Sequence, residues 1–181
     1  FVLILDAGDR LAPECFYQIA RAAWQDPFVD LVVWDDDLVA HEGRRDPRFR
    51  PSWSPELLLG ANYLGQSFAI RRRRLQFAGG VRNGYGEARL GDGLPRAGLD
   101  ANRVARIPRV LTHLKRRRDV VDVKGVAAVQ EVLDARGIPA VAELTEHTVR
   151  LRWKLEVWPK VSVVIPTRHN RSMLSKVFAG L

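Results

Sequence analysis

Cysteine is almost absent from this chain: a single thiol, Cys15, occurs in 181 residues. That excludes an internal disulfide framework and offers no cysteine-built zinc site. It fits a reducing cytoplasm, where a lone thiol on an amphipathic helix serves as a small apolar residue. Long apolar runs are missing too, since none nears the roughly 20 residues that span a bilayer. The opening segment has no basic start of the kind that begins a signal peptide, and the chain reads as soluble. Neither an aromatic-interleaved basic platform nor a helix-turn-helix pattern accompanies the basic residues, so sequence-specific nucleic-acid binding is not expected.

What is present is apolar bulk and positive charge. With 46% hydrophobic residues and five Trp, the chain can bury one sizeable core and part of a second. The net charge is +8, from 29 Lys and Arg against 21 Asp and Glu, with clusters at 71–74 and 115–118. Such an excess attracts anionic lipid or phosphorylated ligands, or simply forms a solvated, Arg-rich surface.

The organising stretch is the first. Five apolar residues at 1–5 without polar alternation predict a strand buried on both faces, as in a parallel α/β sheet, ending in Asp6 and Asp9 around Ala7 and Gly8. Side chains at the carboxyl end of such a strand face a crevice, where a hard cation could sit with a phosphate-bearing ligand. The alternative is a turn with a solvated cap. A covering helix is expected over 13–25, stopped by Asp26 and Pro27, then a short strand at 30–34 that also runs into carboxylates, Asp35, Asp36 and Asp37.

Residues 43–51, rich in Gly, Arg, Asp and Pro, predict an exposed loop. Ser54 is a natural N-cap with Pro55 at the first helical position. A strand at 66–70, a helix at 71–77 and a stop at Gly79 and Gly80 follow, then a loop or broken helix through Gly93. Residues 104–111 resemble a strand that Pro108 confines to an edge or a bulge. A clear amphipathic helix spans 123–136 before Gly137, and 149–157 alternates as a half-exposed strand. Trp158, Pro159 and Lys160 form a linker to a new apolar strand at 161–165. Starting in mid-strand and stopping in what reads as a helix, the chain has the look of an excised segment.

Several blocks now stand in order: Leu5-Asp6-Ala7-Gly8-Asp9-Arg10-Leu11, Trp34-Asp35-Asp36-Asp37, Pro51-Ser52-Trp53-Ser54-Pro55, Asn62-Tyr63-Leu64-Gly65, Gly79-Gly80, and Ile107-Pro108-Arg109-Val110-Leu111-Thr112-His113. Over residues 1–115 this order resembles the family 2 inverting glycosyltransferases of the GT-A fold. The resemblance implies an α/β chain: a partial, truncated GT-A (Rossmann-like) mixed sheet flanked by helices. Residues 1–115 would be the C-terminal half of one glycosyltransferase domain, 116–160 an interdomain helix and strand segment, and 161–181 the start of a second such domain. In that case 161–165 is expected to dock parallel beside 1–5, bringing Thr167 and Arg168 near Asp6 and Asp9.

The chemistry implied by the resemblance is transfer of a sugar from a nucleotide-diphosphate sugar to a saccharide or lipid-linked acceptor, with inversion. A divalent metal, Mg or Mn, bridges the diphosphate and a carboxylate takes the acceptor proton. Asp6, Asp9 and His113 match metal positions, although Gly8 replaces the middle Asp and His113 is equally suited to a hydrogen-bonded structural role. Asp92 matches the surviving acid of the base block, where Leu90 stands at the usual catalytic position and Glu87 is an alternative one slip away. Asp35, Asp36, Trp53, Asn62 and Arg96 are the implied substrate contacts. The implied setting is the cytoplasm at the inner face of the membrane, with peripheral contact to it. Two other classes stay open: a non-catalytic domain that binds a partner or carbohydrate, and a phosphatase-like enzyme with Asp6 as nucleophile, which would want an acid where Gly8 stands.

Overall fold

The strand Leu31–Ala40, here β2, is the spine of the molecule because its first four residues, Leu31, Val32, Val33 and Trp34, are apolar on both faces and all buried. The structure is a computed structural model. It describes all residues except 42, 83–88, 118–122, 147, 169 and 181, with backbone only at 89–92, 123 and 124.

In chain order the elements are β1 (Arg10–Leu11), α1 (Cys15–Gln25), β2, β3 (Gly43–Arg48), α2 (Pro55–Gly60), β4 (Phe68–Ile70), α3 (Arg72–Phe77) and α4 (Arg89–Ala97). After a 3-10 turn come β5 (Val104–Leu114), α5 (Val123–Ala135), β6 (Ala140–Leu144), β7 (Val149–Trp153) and α6 (Arg171–Ala179). On one side β2 pairs in parallel with β5, and on the other it meets β4 and then β3, both antiparallel. β1 pairs antiparallel with the far edge of β5, so the sheet is mixed, five-stranded and flanked by helices.

Alternation along β2 sorts the core into two layers. Val32 and Trp34 face α1, packing with Cys15, Ile19, Ile107 and Leu111. Leu31 and Val33 face the opposite way onto Leu58 of α2, Leu94 and Ala97 of α4, and Phe68. A smaller cluster joins α5 to the β6–β7 hairpin through Val129, Val132, Leu133 and Val149, and Leu59 of α2 connects it to the rest. The local signals act as expected where they are strong. The Ser54 hydroxyl accepts the Leu57 amide at 3.3 Å with Pro55 opening α2, and Pro108 falls in a bulge, where β5 slips between the pairs Trp34↔Ile107 and Asp35↔Val110.

Four expectations need correction. Residues 1–5 do not form a doubly buried strand: only Val2 bridges, antiparallel to Ile70, while Phe1 and Leu5 are exposed. β4 is just three residues long and offers the apolar run a single partner. Residues 161–165 form no strand and no ladder with 1–5, and Val164 is 88% exposed; a segment that is not itself a strand gives them no edge to extend. Residues 43–48 are not loop but β3, paired with β2, whose exposed polar side chains hide the strand pattern. Finally β2 runs on past residue 34 to Ala40, so Asp35, Asp36 and Asp37 lie inside the strand and are buried rather than standing at its end.

Candidate functional site

Three consecutive buried aspartates on a central strand require cations, since an unpaired buried carboxylate is too costly to keep ionised. Each receives arginine from a different part of the chain. Asp35 accepts Arg106 Nη2 at 3.0 and 3.3 Å and the Arg50 amide at 2.8 Å. Asp36 accepts Arg50 Nη2 and the Ser67 hydroxyl through Oδ2, with Arg117 Nη2 3.7 Å from Oδ1. Asp37 meets His113 Nδ1 at 2.6 Å and Arg44 Nε at 3.8 Å. Arg50 is the hub: its side chain is 1% exposed, and its other terminal nitrogen donates to the Tyr63 carbonyl.

The Asp6 to Asp9 turn docks at the same end of the sheet. Gly8 has φ +98°, a conformation that costs glycine nothing, and this lets the Asp9 amide reach the Asp6 carbonyl at 3.1 Å. Gln66 Nε2 donates to Asp6 Oδ2 at 2.7 Å, and the Lys115 amide donates to Asp9 Oδ1 at 2.7 Å. Because Ser67 follows Gln66, the loop that holds Asp6 also holds Asp36. β1 completes the link by pairing Arg10 with His113.

The sequence-derived site residues therefore divide. Asp6, Asp9 and His113 gather at the end of β5, and Asp35 and Asp36 lie beside them within the middle of β2. His113 is already held between Asp37 and Arg44, whose Nη1 lies 3.4 Å from Nε2. Trp53 donates Nε1 to the Leu99 carbonyl at 3.1 Å and packs against the core. Asn62 closes its own turn through Nδ2 to the Gly65 carbonyl at 3.3 Å. Arg96 donates to the carbonyls of Ala78 and Gly80, where α3 ends in two glycines of positive φ. Those three side chains brace loops. The side chains of Asp92 and Leu90, and all of Glu87, lie outside the described residues.

As for a divalent cation, Asp6 and Asp9 supply two carboxylates from one turn, and among the described residues no group of three or more His, Cys, Asp or Glu could hold a metal ion. A hard cation bound there would complete its shell with substrate or water oxygens. Sequence reading missed Arg50, Arg106, Ser67 and Arg117. The one available signal was the acidic run itself, which, once buried, demands partners.

Burial shifts two further groups. Cys15 is pushed up to about 11 by burial and, secondarily, by Glu14. The Tyr63 hydroxyl is raised by burial, partly offset by the Ser54 amide that donates to it at 3.0 Å.

No family model matches the chain. Over its whole length it is 29% identical to O-antigen biosynthesis protein RfbC of Myxococcus xanthus. Over 96% of its length it is 25% identical to uncharacterized protein y4gI of Sinorhizobium fredii. The chain spans 15% and 21% of the length of these two relatives.

Proposed function

We propose that this chain is part of a glycosyltransferase of polysaccharide biosynthesis, moving a sugar from a nucleotide-diphosphate sugar to a polysaccharide or glycolipid acceptor with inversion. The observation that carries this reading is the likeness, end to end, to a protein named for O-antigen biosynthesis; the order of motifs from Asp6 to His113 and the mixed α/β sheet agree with it. In this reading residues 1–115 are the C-terminal half of the catalytic domain, and 161–181 open a second one. Asp6 and Asp9 hold a divalent cation that would neutralise the departing diphosphate, Asp92 takes the acceptor proton, and the Asp35, Asp36 and Arg50 network keeps the floor of the site rigid.

Transfer of radiolabelled sugar tests the proposal. The 181-residue chain alone is expected to turn over no nucleotide sugar, because in this reading it holds only the C-terminal half of the catalytic domain. The longer protein is expected to be active and to lose at least a hundredfold in rate on Asp9→Asn. Turnover by the chain alone refutes the division into halves. An inactive longer protein favours a second reading, a non-catalytic domain that binds a partner or carbohydrate. What speaks for that reading is that Asp35, Asp36 and Asp37 already have the cationic partners Arg106, Arg50 and Arg44, as in a scaffold.

A further inference from the structure

At the opposite end of the sheet, where β2 and β5 begin, aromatic rings and guanidinium groups share one surface. α1 buries Cys15 and Ile19 and turns Tyr17 and Trp24, seven residues apart and so on one face, toward solvent, with exposed Arg21 between them. Trp24 is 84% exposed and Phe28, in the loop entering β2, is 69% exposed. That loop is encircled by cations. Arg71 donates to the carbonyls of Pro27 and Val29, both at 2.9 Å, and Arg103 to that of Phe28 at 3.0 Å. Arg71, Arg73 and Arg103 converge on one buried carboxylate, Asp30, at 3.2, 3.8 and 3.7 Å. With Asp26 in the same loop and exposed Asp100 beside Arg103 counted alongside Asp30, three carboxylates stand against Arg21, Arg71, Arg72, Arg73 and Arg103, so the surface keeps a positive excess.

We propose that this surface docks on an anionic lipid bilayer, with Tyr17, Trp24 and Phe28 entering the headgroup layer and Arg21, Arg72 and Arg73 binding lipid phosphates. Charge of one sign around protruding amphipathic rings is the chemistry of peripheral binding to acidic membranes. The rings stand on the outer face of a helix and on a loop tip, a shape suited to a flat, deformable surface. Among the described residues no helix is long and apolar enough to cross a membrane, so attachment through them is peripheral. This inference stands on the patch alone and is independent of glycosyl transfer.

Vesicle sedimentation with the 181-residue chain tests it. Vesicles of phosphatidylcholine containing about a third phosphatidylglycerol are expected to bind the chain at least tenfold more tightly than pure phosphatidylcholine, and raised salt should weaken that binding. Trp24→Ser should lower the partition coefficient at least tenfold. Paired Arg72→Glu and Arg73→Glu changes should do the same, with circular dichroism unchanged, while Arg150→Glu on β7 leaves binding intact. Quenching of tryptophan fluorescence by brominated lipid should fall sharply in Trp24→Phe. Equal binding to neutral and anionic vesicles, no vesicle binding, or capture of a single-stranded oligonucleotide in place of vesicles would each overturn the proposal.

Discussion

Replacing Arg50 by Met asks whether the buried carboxylates are held by this one guanidinium. The side chains of Arg50 and Asp36 are 1% and 0% exposed, so neither is solvated by water to a useful degree. Met preserves most of the length and apolar volume of Arg while deleting the charge. Asp36 is then left with the Ser67 hydroxyl and with Arg117 at 3.7 Å, and the Tyr63 carbonyl loses a donor. Removing one member of a buried ion pair costs about 3–5 kcal/mol, most of it the penalty of stranding the other charge. For a chain of this size each kcal/mol lowers Tm by roughly 2–4 °C, so Arg50→Met should melt about 10 °C below the parent.

Thermal unfolding followed by circular dichroism gives the shift, and urea titration separates a change in stability from a change in m. The Asp36→Leu, Arg50→Met double variant is expected to cost at least about 2 kcal/mol less than the sum of the singles, because it strands no charge. A loss below about 1 kcal/mol for Arg50→Met, or strict additivity in the cycle, would refute the claim that this pair organises the carboxylate end of the sheet.

Three further outcomes are expected. Mn²⁺ should bind weakly, and Asp9→Asn should abolish the binding while the Asn side chain still accepts the Lys115 amide; unchanged affinity by calorimetry would move the site elsewhere. The fold raises the Cys15 thiol to about 11 and raises Tyr63 as well, so both stabilise the protein while protonated. That contribution is full below about pH 9 and is lost as pH climbs toward 11, so the urea midpoint should fall over that window and fall less in Cys15→Ala. Truncation after Pro159 removes a tail with no buried side chain among its described residues and should leave Tm within about 1 °C; a drop of 5 °C would show that the removed tail packs on the body.

Where a signal is local, the sequence displays it. Ser54 and Pro55 start a helix by the chemistry of their own two residues, the apolar spacing of Val129, Val132 and Leu133 marks α5, and Pro108 announces a bulge because it cannot donate to a ladder. Where pairing is the cause, the signal is weak. β3 is made of Gly43, Arg44, Arg45, Asp46, Pro47 and Arg48, poor strand formers held in place by pairing with β2, with the register broken at Asp46, whose φ is +50°. The runs at 1–5 and 161–165 fail in the opposite direction, since apolar residues with strand propensity stay largely unpaired when no neighbouring strand is long enough or near enough to receive them.

The same distinction governs the carboxylates. Little near Asp35 and Asp36 in the chain foretells that they are neutralised, because Arg106 and Arg117 come from segments far along it and Arg50 folds back from beyond β3, whereas Asp37 pairs with Arg44 on the neighbouring strand. Their partners nevertheless decide what they can do. A dication at Asp36 would have to enter at Oδ1 against Arg117, 3.7 Å away, beside a carboxylate whose charge the buried Arg50 already neutralises through Oδ2. The turn at Asp6 and Asp9 is only half buried, and its carboxylates accept hydrogen bonds from the Gln66 side chain and the Lys115 backbone amide. In the proposed function, metal chemistry falls to the turn and rigidity to the strand. Asp9→Asn should change cation affinity and leave Tm nearly untouched, and Arg50→Met should do the reverse. A Tm loss from Asp9→Asn as large as that from Arg50→Met would show that turn and strand form one structural unit, and would remove the reason for separating their roles.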